Sequence, residues 1–156
     1  MEMWDIYDKD KKRTGKLMKR NDWNMKPGEF HLTVIGIVQD LEGRFLVTRR
    51  NLDKEWAAGW WELPGGGVNA GEDSKDAVIR EIQEELDCTI KALQVFNDYT
   101  HEYEHIFVNL ITVLCELVQG TPNANEHAEL RWVSKSQLNK LNWAPADLPA
   151  VHELMK

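Results

Sequence analysis

Hydrophobic and polar residues follow two different periods along this chain, and the two periods distinguish strands from a helix. Residues 30–38 (FHLTVIGIV) are rich in β-branched and aromatic side chains, and residues 44–49 return after a turn at 40–43, so we predict a β-hairpin. Further strands are predicted at 90–99 and 105–118. The second of these is apolar almost throughout, which is typical of a strand buried on both faces.

The segment that ends near Leu86 has helical spacing. When each residue advances about 100° around the axis, one apolar stripe forms from Val78, Ile79, Ile82 and Leu86. Asp73 and Ser74 are both favourable N-cap residues, so the helix is predicted to begin there. A glycine-rich loop at 64–71 precedes it, after a Trp-rich connector at 51–62.

Shorter elements flank this central part of the chain. Toward the C-terminus we predict a strand at 130–133 and helices at 134–141 and 146–155. At the N-terminus, residues 1–29 are predicted to form a separate β-hairpin extension that ends at Pro27-Gly28. Residues 30–156 are then predicted to form one globular domain. The order of elements predicts an α/β sandwich with a mixed sheet between helical layers.

Composition narrows the classes of function. The net charge is −7, which argues against broad binding to nucleic acid or to an anionic membrane surface. The two cysteines, Cys88 and Cys115, lie in apolar surroundings and are expected to be buried thiols. Neither a signal peptide nor an apolar run of transmembrane length is visible, so we expect a cytoplasmic protein.

The helix carries its acidic residues on the side opposite the apolar stripe. Glu81, Glu84 and Glu85 share that side, Glu72 precedes the helix, and Arg80 lies beside Glu81. Like charges at helical spacing repel by about 0.2–0.5 kcal/mol per pair, and no lysine between 75 and 91 relieves them. A solvated acidic face is the ordinary interpretation. Carboxylates beside a flexible glycine loop also suit hard cations, Mg²⁺ or Mn²⁺, and hence phosphate chemistry.

These residues match a family signature. Gly66 is followed after five residues by Glu72, and after seven more by REIQEELDC, with WELPGG leading into Gly66. This pattern resembles the Nudix box, the signature of hydrolases that cleave nucleoside diphosphates linked to another moiety. The resemblance implies a Nudix-type α/β/α sandwich with a mixed central sheet and an N-terminal β-hairpin extension. Asp87 stands where the family usually has glycine, and Asp tolerates the left-handed backbone of a helix end.

The resemblance implies a role for each acidic position. Glu84 and Glu85 match the main metal ligands, and Glu81 matches a further ligand or the general base. Arg80 matches the residue that orients Glu81, and Glu72 matches a supporting carboxylate. The implied cofactor is Mg²⁺ or Mn²⁺.

Further ligands are expected around the box. The resemblance also implies the carbonyl of Gly65 or Gly66 as an extra metal ligand. Family members often add an acidic residue from a loop outside the box. The candidates for this acidic residue are Glu102, Glu104, Glu126 and Glu129. Glu126 is preferred because its loop precedes the strand predicted at 130–133.

Aromatic and basic residues near the loop are candidates for substrate binding. Trp56 and Trp60 could stack on a nucleobase, whereas Trp61 is expected in the core. Arg49 and Arg50 end a predicted strand and could bind phosphate. Because adjacent strand residues face opposite ways, at least one of the two is expected to be exposed.

Three functions remain in competition. A hydrolase of the pyrophosphate linkage of a nucleoside diphosphate derivative fits the nearly complete box. The N-terminal segment resembles Nudix proteins related to isopentenyl-diphosphate isomerase. Those isomerases resemble one another in a cysteine near the loop between the first hairpin and the box, whereas residues 1–87 of this chain contain no cysteine. A non-catalytic nucleotide-binding module is the third possibility. The expected partner is a small-molecule nucleotide or diphosphate, without nucleic acid or membrane, and the N-terminal hairpin could pair across a homodimer.

Overall fold

The computed structural model describes residues 2–20, 22, 24–54, 57–103 and 106–156. The strands are β1 (Met3–Tyr7), β2 (Arg13–Lys19), β3 (His31–Gln39), β4 (Phe45–Arg49), β5 (Trp61–Glu62), β6 (Gly65–Gly67), β7 (Thr89–Tyr103), β8 (Ile106–Gln119) and β9 (Glu129–Val133). The α-helices are α1 (Ser74–Leu86) and α2 (Leu148–Leu154), and 3₁₀-helices cover Lys135–Lys140 and Pro145–Asp147.

The main sheet is mixed, as predicted. Its strand order is β5-β4-β3-β8-β7, with β6 paired to β3 and β9 paired to β4. β3 and β8 run parallel from His31 opposite Val108 to Gln39 opposite Glu116, while β7 runs antiparallel to β8. β3 therefore lies in the centre of the sheet, where Val34 and Val38 are fully buried.

Helical layers cover both faces of this sheet. On one face, α1 packs its stripe of Val78, Ile82 and Leu86 against β3 and β8. On the other face, the 3₁₀ segment and α2 contribute Leu138 and Val151. This arrangement confirms the predicted α/β/α sandwich.

α1 begins and ends where its sequence predicts. Asp73 caps the N-terminus by accepting a hydrogen bond from the Asp76 N–H at 2.8 Å. Asp87 ends the helix in the left-handed region, with φ 54°. Asp87 therefore adopts the left-handed backbone conformation that a glycine at this position would take.

The glycine loop is more ordered than its composition predicts. Residues 65–67 form β6, which pairs with Thr33, Val34 and Ile35 of β3. A Cβ atom on Gly65 would lie 2.0 Å from the Val34 carbonyl oxygen. The glycines thus allow β6 to approach β3 closely, in addition to forming a turn. The sequence does not reveal this contact, because it does not show that β3 is the partner of β6.

The C-terminal elements also differ from the prediction. The element expected at 134–141 is a 3₁₀-helix, and its Leu138 carbonyl accepts a hydrogen bond from the Trp143 indole N–H at 2.7 Å. The last α-helix begins at Leu148, after a 3₁₀ turn. Pro149 lacks an N–H and so fits only in the first turn of a helix.

The N-terminal hairpin forms its own two-stranded sheet, β1 with β2. Its small apolar cluster contains Trp4, Ile6 and Met18, and the Trp4 ring stacks on His31 with ring centroids 3.7 Å apart. The division into an extension of 1–29 and a domain of 30–156 stays a prediction. Among the described residues, no helix has the length and apolar character to cross a membrane.

Candidate active site

α1 does not place its three glutamates on one exposed face. Glu81 is only 7% exposed, whereas the side chain of Glu84 is 58% exposed and that of Glu85 is 24% exposed. The ordinary interpretation of these residues as a solvated acidic face therefore does not hold for Glu81. Its carboxylate lies against Gly66, where a Cβ atom would come within 2.5 Å of it. The missing side chain at Gly66 therefore makes room for Glu81.

Arg80 joins the acidic residues into one network. Its Nε and Nη2 donate to the two oxygens of Glu72 at 2.7 and 2.8 Å, and Nη2 also donates to the Gly67 carbonyl at 3.0 Å. Its Nη1 donates to Glu81 at 2.9 Å and to Glu84 at 3.2 Å. Arg80 thus contacts two of the three helix acids that the resemblance assigns to metal binding or base catalysis, together with the loop acid.

Electrostatics distinguish the role of Glu72 from that of its neighbours. Burial opposes its ionisation, but the Arg80 hydrogen bonds hold the pKa of Glu72 below its usual range. Hydrogen bonding to the Glu72 carboxylate is also the main reason that the pKa of Arg80 is raised. Glu72 is therefore an ionised anchor for Arg80, as expected of a supporting carboxylate.

Glu85 is in the opposite electrostatic situation. Burial, followed by the negative charges of Glu81, Glu62 and Glu126, raises the pKa of Glu85 to about 9. Burial also raises the pKa of Glu81, although Arg80 counters part of that rise. Two adjacent carboxyl groups thus lack enough positive charge to ionise together at neutral pH, and a bound cation would supply it.

Two side chains that the sequence did not single out complete this cluster. His127 Nε2 lies 3.8 Å from Glu62 Oε1 and 3.9 Å from Glu85 Oε2. Burial raises the pKa of Glu62, with Arg50 countering at 3.3 Å, and burial lowers the pKa of His127. The neutral imidazole is therefore favoured, so His127 does not neutralise Glu85. Glu62 stands within the family lead-in and His127 follows Glu126, but neither position alone indicates the contact.

Asp147 is a further buried acid beneath the site. Its Oδ2 accepts a hydrogen bond from the Leu63 N–H at 2.6 Å. Burial, with a second contribution from Glu62, raises the pKa of Asp147 well above its ordinary value. The only signal in the sequence is an acid within an otherwise apolar C-terminal segment.

The predicted substrate residues lie beside this cluster with other contacts. Arg49 donates from Nε to the Gly59 carbonyl at 2.8 Å, and Arg50 pairs with Glu62. Both are half-buried, so the expectation that one would be exposed is wrong; the turn at 57–60 folds back over the end of β4. Trp60 is half-buried, and its carbonyl accepts from the Arg50 N–H at 2.9 Å.

The structure describes the side chains of two of the four candidates for an acidic ligand from outside the box. Glu126 is exposed and close enough to Glu85 to raise its pKa, while its carbonyl accepts from Asn51 Nδ2 at 2.9 Å. Glu129 instead pairs with Arg131. Trp56 and Glu104, and the side chain of Glu102, lie outside the described residues.

The donor chemistry fits a divalent cation. Across the described ranges, no three or more His, Cys, Asp or Glu side chains converge as a ready-made metal site. Glu81 and Glu85 nevertheless present hard oxygen donors, and burial is the main cause of their raised pKa values. The Glu81 carboxylate lies beside Gly66. Glu84 pairs with Arg80 and is exposed at the rim.

Comparison with known proteins agrees with this arrangement. A family model described as NUDIX domain matches residues 29–154. An uncharacterized Nudix hydrolase of Listeria innocua is 32% identical over 96% of this chain and 89% of its own length. The 8-oxo-dGTP diphosphatase of Escherichia coli is 30% identical over 78% of this chain and 94% of its own length.

A solved structure extends the likeness to the fold. The crystal structure of a MutT protein from Methanosarcina mazei superposes with a TM-score of 0.70 at 28% identity, covering 81% of this chain and 92% of that one. The relatives support the predicted enzyme class, a pyrophosphohydrolase. With the family model matching most of its length, the chain belongs to the Nudix family.

Proposed function

We propose that this protein is a divalent-metal-dependent hydrolase that cleaves the pyrophosphate linkage of a nucleoside diphosphate derivative, with Mg²⁺ or Mn²⁺ as the ion. The observation that carries the proposal is the buried Glu81 carboxylate beside Gly66, held by Arg80 at 2.9 Å, with the carboxyl group of Glu85 one helical turn further on. Nudix proteins generally use divalent metal ions, and one relative is named for hydrolysing 8-oxo-dGTP.

The residues that would hold the ion are those the resemblance indicates. They are the carboxylates of Glu81, Glu84 and Glu85, with the carbonyl of Gly65 or Gly66. When bound, a divalent ion acidifies water and neutralises phosphate oxygens. Glu126 lies near enough to Glu85 to add charge from outside the helix.

The chain itself supplies orientation and a proton acceptor. Arg80 holds Glu81 through a 2.9 Å hydrogen bond and is itself held by both oxygens of Glu72. A carboxylate that is held in place next to a bound cation can accept a proton from water. We assign removal of the water proton to Glu81 or Glu85.

Substrate binding is proposed for the residues beside the cluster. The guanidinium of Arg50 lies at the edge of the acidic group and would contact a phosphate oxygen, with Arg49 next to it. Trp60 is half-buried on the same turn, and its exposed part could stack on a base. Trp56 keeps the same proposed role.

The remaining predictions concern partners and location. We propose a small-molecule nucleotide or diphosphate as the partner. The exclusion of nucleic acid and membrane, the homodimer and the cytoplasmic location stay predictions. No contact in the described residues favours the isomerase or the non-catalytic module over the hydrolase, since every acid of the box is in place.

The test is turnover of a panel of diphosphate compounds by wild type and two variants. The panel contains nucleoside triphosphates including 8-oxo-dGTP, nucleotide sugars, dinucleoside polyphosphates and prenyl diphosphates, each with Mg²⁺ and then Mn²⁺. Glu85→Gln should lower kcat at least about 100-fold, the scale of a general base. Glu116→Gln removes an exposed acid on β8 and serves as the matched control. Normal turnover by Glu85→Gln, or no turnover of any compound by a wild type that binds Mn²⁺, would contradict the proposal.

A further inference from the structure

The loop in front of α1 is held by residues outside the family match, which begins at residue 29. In β1, the Met3 carbonyl accepts a hydrogen bond from the Ala70 N–H at 2.8 Å. Two residues further, Asp5 Oδ2 accepts from the Gly71 N–H, also at 2.8 Å. β1 thus binds the backbone of two consecutive loop residues directly.

The aromatic residue between these two contacts seals the start of the loop. Trp4 is 5% exposed and stacks on His31. Its ring lies against Gly67, where a Cβ atom would come within 3.0 Å of it. Because Gly67 also provides the carbonyl bound by Arg80, the hairpin touches the loop close to the site.

Arg13 in β2 makes the next contact. Its Nε donates to Asp5 Oδ2 at 3.1 Å, and its Nη2 donates to the Glu72 carbonyl at 2.9 Å. The rigid fork of the guanidinium therefore joins the buried Asp5 carboxylate to the backbone of the residue that carries the supporting carboxylate.

These contacts continue to the reacting groups. The Glu72 side chain accepts two hydrogen bonds from Arg80 and a third from the Asn69 N–H at 3.1 Å. Arg80 in turn donates to Glu81. The N-terminal hairpin is consequently connected to Glu81 by an unbroken series of charge-assisted hydrogen bonds through Arg13, Glu72 and Arg80.

We propose that Asp5 and Arg13 are positioning residues: they clamp the backbone of 71–72 so that Glu72 holds Arg80, and through it Glu81, in the working geometry. The clamp is supplied by the N-terminal hairpin and is additional to the Nudix box. This inference rests on the proposed function for its effect on turnover, but the clamp itself is a property of the metal-free protein.

The test compares Arg13→Gln with Lys16→Gln in the full chain. Lys16 lies in the same strand, and its ion pair with Glu29 at 3.2 Å is away from the loop, so both variants lose one positive charge. In Arg13→Gln the Asp5 carboxylate loses the guanidinium that holds it against the Gly71 N–H, so the Gly71 amide should exchange with solvent about tenfold faster. Lys16→Gln should exchange as wild type does.

Turnover provides the second readout. Arg13→Gln should lower kcat about tenfold with KM unchanged, because a displacement of order 1 Å costs up to about 100-fold in rate. Arg13→Lys should recover part of that loss. If wild type turns over no substrate, the proposed function fails while the exchange rates still decide the clamp.

Two results would overturn the clamp. One is a Gly71 exchange rate in Arg13→Gln equal to that in Lys16→Gln. The other is a loss of turnover that Lys16→Gln shares in full. Should Arg13→Gln fail to fold, the nearly isosteric Asp5→Asn replaces it, with the same expected exchange at Gly71 and the same two contradicting results.

Discussion

Replacing Glu85 with Gln should stabilise the metal-free protein at neutral pH, although the same change should abolish turnover. In the native protein, burial and three neighbouring acids raise the pKa of Glu85 to about 9 from its ordinary value of 4.5. At pH 7 the unfolded chain ionises this group freely, whereas the native protein must bind a proton or bury a repelled charge. Gln keeps the shape of the side chain and removes that cost.

The size of the effect follows from the two pKa values. Neutral pH lies about 2.5 units above the unfolded value, and each unit corresponds to about 1.4 kcal/mol, which sets an upper limit of about 3 kcal/mol. We expect a gain of about 1–3 kcal/mol, because the neighbouring carboxyl group of Glu81 remains buried.

The sign of the pH dependence is equally definite. A group whose pKa is raised on folding contributes its full stability below the unfolded pKa and loses it as the pH rises to the folded pKa. The difference between Glu85→Gln and wild type should therefore be near zero below pH 4.5, widen as the pH rises and level off near pH 9.

The assay is urea unfolding followed by circular dichroism in the presence of a chelator, at several pH values from 5 to 9. Glu116→Gln provides the control and should follow wild type throughout. Adding Mg²⁺ or Mn²⁺ should then stabilise wild type more than Glu85→Gln, because only the native wild type binds the ion well. A Glu85→Gln variant that is less stable than wild type in chelator, or a difference that does not grow with pH, would refute the electrostatic argument.

Two glycine-related substitutions test the backbone around α1. Gly66→Ala places a methyl group within 2.5 Å of the Glu81 carboxylate, so kcat should fall about 10- to 100-fold; a variant that turns over substrate normally would show that Glu81 does not act from this position. Asp87 has a left-handed backbone with φ 54°, which glycine adopts without strain. Asp87→Gly should therefore raise the free energy of unfolding, measured by urea unfolding, by about 0.5–1 kcal/mol. A loss of stability would mean that the 3.4 Å hydrogen bond from Gln83 to Asp87 contributes more than the backbone strain costs.

Features that depend on residues close together in the sequence can be predicted from the sequence. α1 was recognised from its apolar stripe and caps, because helix periodicity depends on residues three and four positions apart. The spacing from Gly66 through Glu72 to Arg80 identified the Nudix box; the supporting role that it implies for Glu72 stays a prediction. The mixed sheet followed from the order of strands around one helix.

Features that depend on chain segments far apart required the tertiary structure. The burial of Glu81 depends on Gly66, fifteen residues earlier, and Asp147 meets the Leu63 N–H across 84 residues. His127 reaches Glu62 only because β4 pairs with both β5 and β9. The sequence by itself determined which carboxylates stand on the helix. Strand pairing and burial decided which of them ionise easily, because the energy of a charge depends on the groups that surround it in space.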